Sequence, residues 1–418
     1  MILFTLKNKL FTFGKSDRDY KDLSLRTMGR HHLMDTNHGI LLGSIVTIGG
    51  DSMLFDISPK GKVGELFGRE EELTELKQLV EKYPIVSLIG VRRVGKTSIL
   101  KTFLGITDLP YILIDLRECA GTSHSISHMK LLKAFENSFN TLKDSWDKIA
   151  SILKNIKGIS LMGTEIRFDP KTGNADLGEI LDALEKGCDK RGEYMIIAFD
   201  EAQYLRFFGS RGGAEIRRLL AHTYDYHKRI KFILTGSEIG LLHDFLRQDD
   251  PESELFGRYI SEMTIIPFTK EKSIEFLKRG FEEYEFKIDE EDILRAVQEL
   301  DGIVGWLVVF GNSVIQKGIS DSIFTEVFDM ASNMIKEELS ELKVKSPRYI
   351  TLLRAVATGL NRWSTLKRYL EAIEGPITDA RFQVLLNNLI RYSWIEQRED
   401  GYYLIDPVIE KVLKRSRI

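Results

Sequence analysis

Two kinds of hydrophobic spacing alternate along the chain. Short apolar runs stand at residues 85–89, 111–115, 194–199, 231–235 and 263–267. They are nearly continuous rather than alternating, the pattern of strands covered on both faces in a parallel sheet. Between them, apolar positions recur at helical spacing, as at Ile216, Leu219 and Leu220. Strands alternating with such helices predict an α/β fold with a doubly wound parallel sheet.

The rhythm breaks in four places. Residues 1–52 mix polar and apolar positions with no sustained period, and we expect a poorly ordered or spurious extension, with Met53 as the true start. Residues 119–190 read as an insertion of long helical stretches plus a polar segment at 169–174. Residues 269–345 read as all-helical: Thr269 opens a helix whose Ile274, Phe276, Leu277 and Phe281 share a face. Residues 346–418 read as three helices (349–358, 364–371 and 379–391) and then two strands around the turn Asp400-Gly401. That order predicts a winged helix-turn-helix. The domains expected are thus a core at 53–268, a helical lid at 269–345 and a winged helix at 346–418.

Composition narrows the classes. The 418 residues are 43% hydrophobic and 29% charged, a globular balance with chain enough for several domains. No apolar run approaches the ~18 residues of a membrane span. The two cysteines, Cys119 and Cys188, supply neither a disulfide framework nor a four-ligand zinc site, and we expect a cytoplasmic protein. Net charge is −3, but residues 346–418 carry 12 Lys/Arg against 8 Asp/Glu, a local net of +4. Such asymmetry points to an interaction surface in the winged helix.

The first apolar run leads into Gly90, Val91, Arg92, Arg93, Val94, Gly95, Lys96, Thr97 and Ser98, which fits G-x-x-x-x-G-K-[ST] between a strand and a helix. The two glycines let main-chain N–H groups wrap phosphates. Lys96 would reach the β- and γ-phosphates, and the Thr97 hydroxyl would ligate Mg2+. Arg92 and Arg93 either help neutralise phosphate, contact a neighbouring element, or are solvated. The run at 194–199 ends in Asp200 and Glu201, at the edge where parallel sheets place ligands. Asp200 would hold the metal and Glu201 polarise the attacking water. Thr235 or Ser237 would sense the γ-phosphate or orient water, or merely cap a turn. Arg258 would act as an arginine finger, in trans in an assembly, or form a surface ion pair.

These segments, together with Leu66-Phe67-Gly68-Arg69-Glu70-Glu71-Glu72-Leu73, Gly257-Arg258-Tyr259 and the turn at 301–307, resemble the archaeal ATPase family of the AAA+ class, close to the STAND signalling ATPases. The resemblance covers residues 53–415. It implies a P-loop NTPase core, a helical lid, a winged helix, and adenine near Phe67, Gly68 and Arg69. One position departs: Val304 stands where the family often has proline.

Three functions follow as expectations: an ATP-hydrolysing, Mg2+-dependent switch that moves the winged helix; an ATP-gated DNA-binding initiator-like or regulatory protein; and a nucleotide-controlled signalling scaffold. In the DNA reading Arg381, Gln383, Asn387, Asn388 and Arg391 of the third helix face duplex DNA. A protein partner or a homo-oligomer is the other kind of assembly expected, and no membrane.

Overall fold

The computed structural model describes residues 53–121, 125–140, 152–153, 158–162, 165–168, 176–300 and 302–415. The expected extension at 1–52, the polar segment at 169–174 and Asp301 lie outside the described residues.

Helix α1 (Glu70–Lys82) leads into β1 (Ile85–Ile89). The chain continues through α2 (Lys96–Ile106), β2 (Tyr111–Asp115), α3 (Leu116–Ala120) and α4 (His128–Phe139). An antiparallel hairpin follows, β3 (Ile159–Met162) with β4 (Glu165–Phe168). Then come α5 (Leu177–Arg191), β5 (Met195–Asp200), a 3-10 turn (Ala202–Phe207) and α6 (Ala214–Tyr226). Strand β6 (Ile230–Gly236), α7 (Ile239–Leu246) and β7 (Ser261–Thr264) complete the core.

The sheet order is β2-β5-β6-β1-β7, with every pairing parallel. Central strands β1, β5 and β6 are buried throughout, whereas the edge strands β2 and β7 alternate, as one covered face and one exposed edge require. Successive residues face opposite ways. Ile85, Ile197, Phe199 and Phe232 therefore enter the core on one face, and Val86, Leu88, Ile196 and Ile233 the core on the other.

Two segments differ from the sequence reading. The fifth strand was expected at 263–267 but spans Ser261–Thr264. Ile265 N still donates to Ile89 O at 2.7 Å, but the Ile266 carbonyl is taken by Arg69 and Pro267 has no N–H to continue the ladder. The 119–190 stretch contains the β3–β4 hairpin besides its helices. In β4 the side chains of Ile166 and Phe168 turn inward while those of Glu165 and Arg167 turn outward.

The lid is α8 (Lys270–Glu283), α9 (Glu290–Leu300), α10 (Val304–Lys317) and α11 (Asp321–Lys345). Thr269 caps α8 by accepting from Lys272 N at 3.2 Å. The winged helix is α12 (Pro347–Ala357), α13 (Trp363–Glu374), α14 (Asp379–Arg391) and the antiparallel pair β8 (Ile395–Arg398) and β9 (Gly401–Leu404). A further helix, α15 (Pro407–Arg415), follows the hairpin and was not anticipated. Its Val408, Ile409, Val412 and Leu413 enter one continuous core with Trp306, Phe310 and Leu342 of the lid.

The segment before α1 joins that same core through Phe55, which is fully buried against Phe276 and Phe281. Burying one such ring contributes roughly 1.5–3 kcal/mol. It fixes residues 54–60 as one wall of the cavity described next.

Candidate nucleotide site

The phosphate loop turns on left-handed backbone at Arg93 (φ 65°) and Gly95 (φ 102°). At Gly90 a Cβ would lie 2.5 Å from the Ile265 carbonyl, so the loop closes there only with glycine. Gly95 precedes the first turn of α2, whose orphan N–H groups form an anion seat. Lys96 Nζ donates to the carbonyls of Gly90 at 2.8 Å and Val91 at 2.9 Å. Burial pushes its pKa down to about 8, against the pull of Glu201 and Asp200.

Strand β6 lies between β1 and β5, so its carboxyl end falls between the loop and the Asp200 edge. Thr235 uses this position: its hydroxyl donates to Asp200 Oδ1 and accepts from Glu201 N at 3.0 Å. Thr97 Oγ1 donates to the other Asp200 oxygen at 2.9 Å. Burial raises the Asp200 pKa, partly offset by the hydroxyl of Thr235. A hydroxyl and a carboxylate in contact form the oxygen donor set that suits Mg2+.

Glu201 has left-handed backbone, φ 55° and ψ 50°, a strain of roughly 1–3 kcal/mol for such a residue. Its Oε2 accepts from Ser237 Oγ and Gln203 Nε2, each at 2.6 Å, and its Oε1 from Arg117 at 2.6 Å. Burial pushes its pKa up, but Arg117, Lys96 and the Ser237 and Gln203 bonds outweigh burial and hold it below the ordinary value.

Lys96, Thr97, Arg117 and Glu201 line a cavity of about 540 Å³, within the common range for ligand sites; Asp200, Thr235 and Ser237 are outside its lining and bond to Thr97 and Glu201. Its apolar wall includes Ile57, Phe67, Val304, Val308 and Val309. Arg69 also lines it, bonded to the Ile266 carbonyl at 2.9 Å and stacked 4.4 Å over Phe268. Gly68 instead faces a separate cleft beside Lys272. Ser98 Oγ accepts from Lys60 N at 3.2 Å, and Val94 is buried with its carbonyl toward Arg69. Val304 is the first residue of α10, where proline is readily accommodated, so valine there leaves the turn's path intact. Gly305 N donates to Arg93 O at 2.9 Å.

Arg92 and Arg93 reach neighbouring elements. Arg92 bonds Glu238 at 2.6 Å and Glu338 of the lid at 2.9 Å. Arg93 also bonds Glu338, and its guanidinium stacks 4.3 Å over Trp306. Trp306 Nε1 in turn donates to Asp406 Oδ2 of the winged helix at 3.2 Å. Arg258 is not among the cavity's lining residues; it bonds Asp225 of α6 at 3.0 Å and the Glu254 carbonyl at 2.7 Å.

A second seam joins α7 to the winged helix. Ile239 N donates to Ser393 Oγ at 3.0 Å, and Arg391 Nε to Asp244 at 3.0 Å. Gly240 packs so tightly that a Cβ there would lie 2.4 Å from Arg391 Cα. Of the third-helix residues, Arg391 is thus engaged with the core. Asn388 bonds Tyr349 at 2.8 Å, and Gln383 bonds Trp363 at 2.8 Å and Asn387 at 2.9 Å.

Sequence reasoning missed Arg117, Glu238, Glu338 and Asp406. Arg117 and Glu238 follow the carboxyl ends of β2 and β6, a signal that could have found them. Glu338 and Asp406 had no local signal.

A phosphate loop on β1, a carboxylate pair on β5 and a parallel sheet with lid and winged helix define a P-loop NTPase of the AAA+ type. The chain belongs to the archaeal ATPase family. The family described as an ATPase domain predominantly from Archaea matches residues 66–310, and that described as the MCM protein C-terminal winged helix-turn-helix domain matches residues 343–405. The Walker-type ATPase of Pyrococcus abyssi is 42% identical, with 87% of this chain and 100% of that chain covered and a TM-score of 0.77. The Aeropyrum pernix ORC2 protein, in ADPNP–ADP complexes, shares the fold at 15% identity, with 86% and 97% covered and a TM-score of 0.54. No curated protein matches. No described helix is long and apolar enough to cross a membrane.

Proposed function

We propose that the protein is an ATP-binding and ATP-hydrolysing switch whose nucleotide state repositions the lid and the winged helix. The observation that carries this reading is the shared hold on the phosphate loop. Arg92 is bonded at once to Glu238 of the core and Glu338 of the lid, and Arg93 to Glu338.

In this reading the α2 N-terminus and Lys96 hold the phosphates, and Phe67 and Arg69 bound the base side of the cavity. Thr97 and Asp200 would hold Mg2+, which supplies positive charge to the phosphate oxygens when bound. Glu201 accepts a proton from the attacking water after leaving its bonds to Arg117 and Ser237. Thr235 keeps Asp200 and the Glu201 backbone in register. Ser237 reports on the γ-phosphate through Glu201. Arg258, tied to Asp225, acts only in an assembly that draws it away. The switch works because ATP binds two arrangements of the lid with different affinity.

The substitution Glu201→Gln tests this. ATP binding, followed by calorimetry, should stay within a few-fold, while phosphate release falls by roughly 10²–10⁴. Unchanged turnover would remove Glu201 from the mechanism.

A second reading, ATP-gated binding of duplex DNA, is favoured by the winged-helix match and the local charge of residues 346–418. Its third helix reads a groove only after Arg391 leaves Asp244. Salt-dependent DNA binding that strengthens in Asp244→Ala supports it; no binding at low salt with either nucleotide overturns it. In a scaffold with little turnover, phosphate release would stay low even in the presence of DNA.

A further inference from the structure

Three side chains converge at the edge of the sheet opposite the nucleotide cavity. Asp182 comes from α5, His222 from α6, and His227 from the residue that closes α6 before β6. One Asp182 oxygen lies 3.3 Å from His222 Nε2 and 2.9 Å from His227 Nε2. The two imidazoles stand nearly perpendicular, at 88°, with centroids 5.1 Å apart. One donor atom from each residue falls within 4.8 Å of the other two.

The backbone beneath this cluster is pinned. His227 N donates to Thr223 O at 3.0 Å. The next three N–H groups, of Lys228, Arg229 and Ile230, all donate to the Glu185 carboxylate of α5, at 2.8, 2.9 and 3.1 Å. The His227 side chain is 4% exposed, whereas those of His222 and Asp182 are nearly half exposed. The cluster therefore has a rigid inner ligand and an open outer side.

We propose that Asp182, His222 and His227 form a binding site for a divalent transition-metal ion of the zinc type, with water completing the shell on the open side. A tetrahedral ion about 2.0–2.1 Å from nitrogen and oxygen ligands sets those ligand atoms roughly 3.3 Å apart. The Asp182–His222 distance already has that value, and the Asp182–His227 distance needs to open by only about 0.4 Å. Two imidazoles with one carboxylate suit zinc, whereas Mg2+ and Ca2+ take oxygen shells.

The structure also sets the strength. His227 Nδ1 is buried with no partner among the described residues. With Nε2 on the ion, Nδ1 carries the proton and has no acceptor. A ligating histidine without this outer partner binds roughly 10–100-fold more weakly than one that has it. The site is thus a moderate one, and its work is structural: it ties α5, α6 and the start of β6 together, far from the phosphates.

The test uses the full chain stripped of metal, titrated with Zn2+ against a chromogenic chelator, beside His222→Ala and Asp182→Asn. Both positions are half exposed, so the variants keep the fold, which thermal melting without metal verifies. Expected is one fewer Zn2+ per chain in each variant, or at least a tenfold weaker site, and loss of the zinc-induced rise in melting temperature. Substituted Co2+ should give the visible bands of a four-coordinate ion in the parent chain and lose them in both variants. Comparing variants separates this site from other histidines such as His31 and His32. Equal stoichiometry, affinity and melting response in all three proteins overturns the proposal.

Discussion

The phosphate cradle and the seams among core, lid and winged helix are both polar and both buried in part, yet they are assembled differently. In the cradle the groups come as short runs, Gly90 to Ser98 and Asp200 to Gln203, and each buried charge has several partners. In the seams each bond joins residues far apart in the chain: Arg391 with Asp244, Trp306 with Asp406, and Arg93 with Glu338. The cradle's chemistry belongs to local backbone geometry. The seams exist only if three folded parts arrive in one arrangement. Among the described residues only Arg92 and Arg93 belong to both, since they sit in the loop and pair with Glu338 of the lid.

The comparison breaks most visibly at Lys96. Lys96→Ala removes charge-assisted bonds worth about 1.5–3 kcal/mol each, so ATP affinity measured by calorimetry should fall by roughly 100-fold or more. Melting in the absence of nucleotide should also fall, by about 1–3 kcal/mol, because the Gly90 and Val91 carbonyls lose their donor and the buried Glu201 carboxylate loses a nearby positive charge.

Next in size is a pH effect. Lys96 titrates near pH 8, and phosphates favour its charged form. Affinity for ATP should therefore fall as pH rises through that range, roughly tenfold between pH 7 and pH 9, as the ammonium fraction declines. Lys96→Arg should flatten the profile, since guanidinium stays charged. A fall of equal slope in Lys96→Arg assigns the titration to another group.

Two smaller effects probe the seams. Gly240→Ala places a methyl against Arg391 Cα without touching the cradle. It should cost about 1–3 kcal/mol by overpacking, or push the winged helix off the core. Small-angle scattering distinguishes these outcomes, and ATP affinity should hardly change. Asp406→Ala leaves the buried Trp306 N–H unpaired at a cost of about 1–3 kcal/mol, read by chemical denaturation and by a shift in Trp306 fluorescence. A large loss of ATP affinity in either variant would mean that cradle and seams are one unit.

The same division explains what could be read in the residues. The five sheet strands, the phosphate loop, Asp200, Glu201 and the third winged-helix element at Asp379–Arg391 follow from contiguous patterns. Glu338 and Asp406 are ordinary acidic residues until the fold brings Arg93 and Trp306 to them. The β3–β4 pair escaped because four-residue strands leave too short an alternation to stand out. The convergence of Asp182 with two histidines about 40 residues away is likewise a product of packing. Helix α15 has a clear apolar face, yet it lies beyond the point at which a winged helix is already complete.

One consequence lies in the end of β6. Thr235 touches Asp200, Ser237 touches Glu201, Glu238 touches Arg92, and Ile239 touches Ser393 of the winged helix. Five consecutive residues thus span from the Asp200 carboxylate to another domain with no slack loop between them. Such a connection has little compliance. In the proposed switch, this stretch offers a covalent route from the hydroxyl partner of Asp200 to the partner of Ser393.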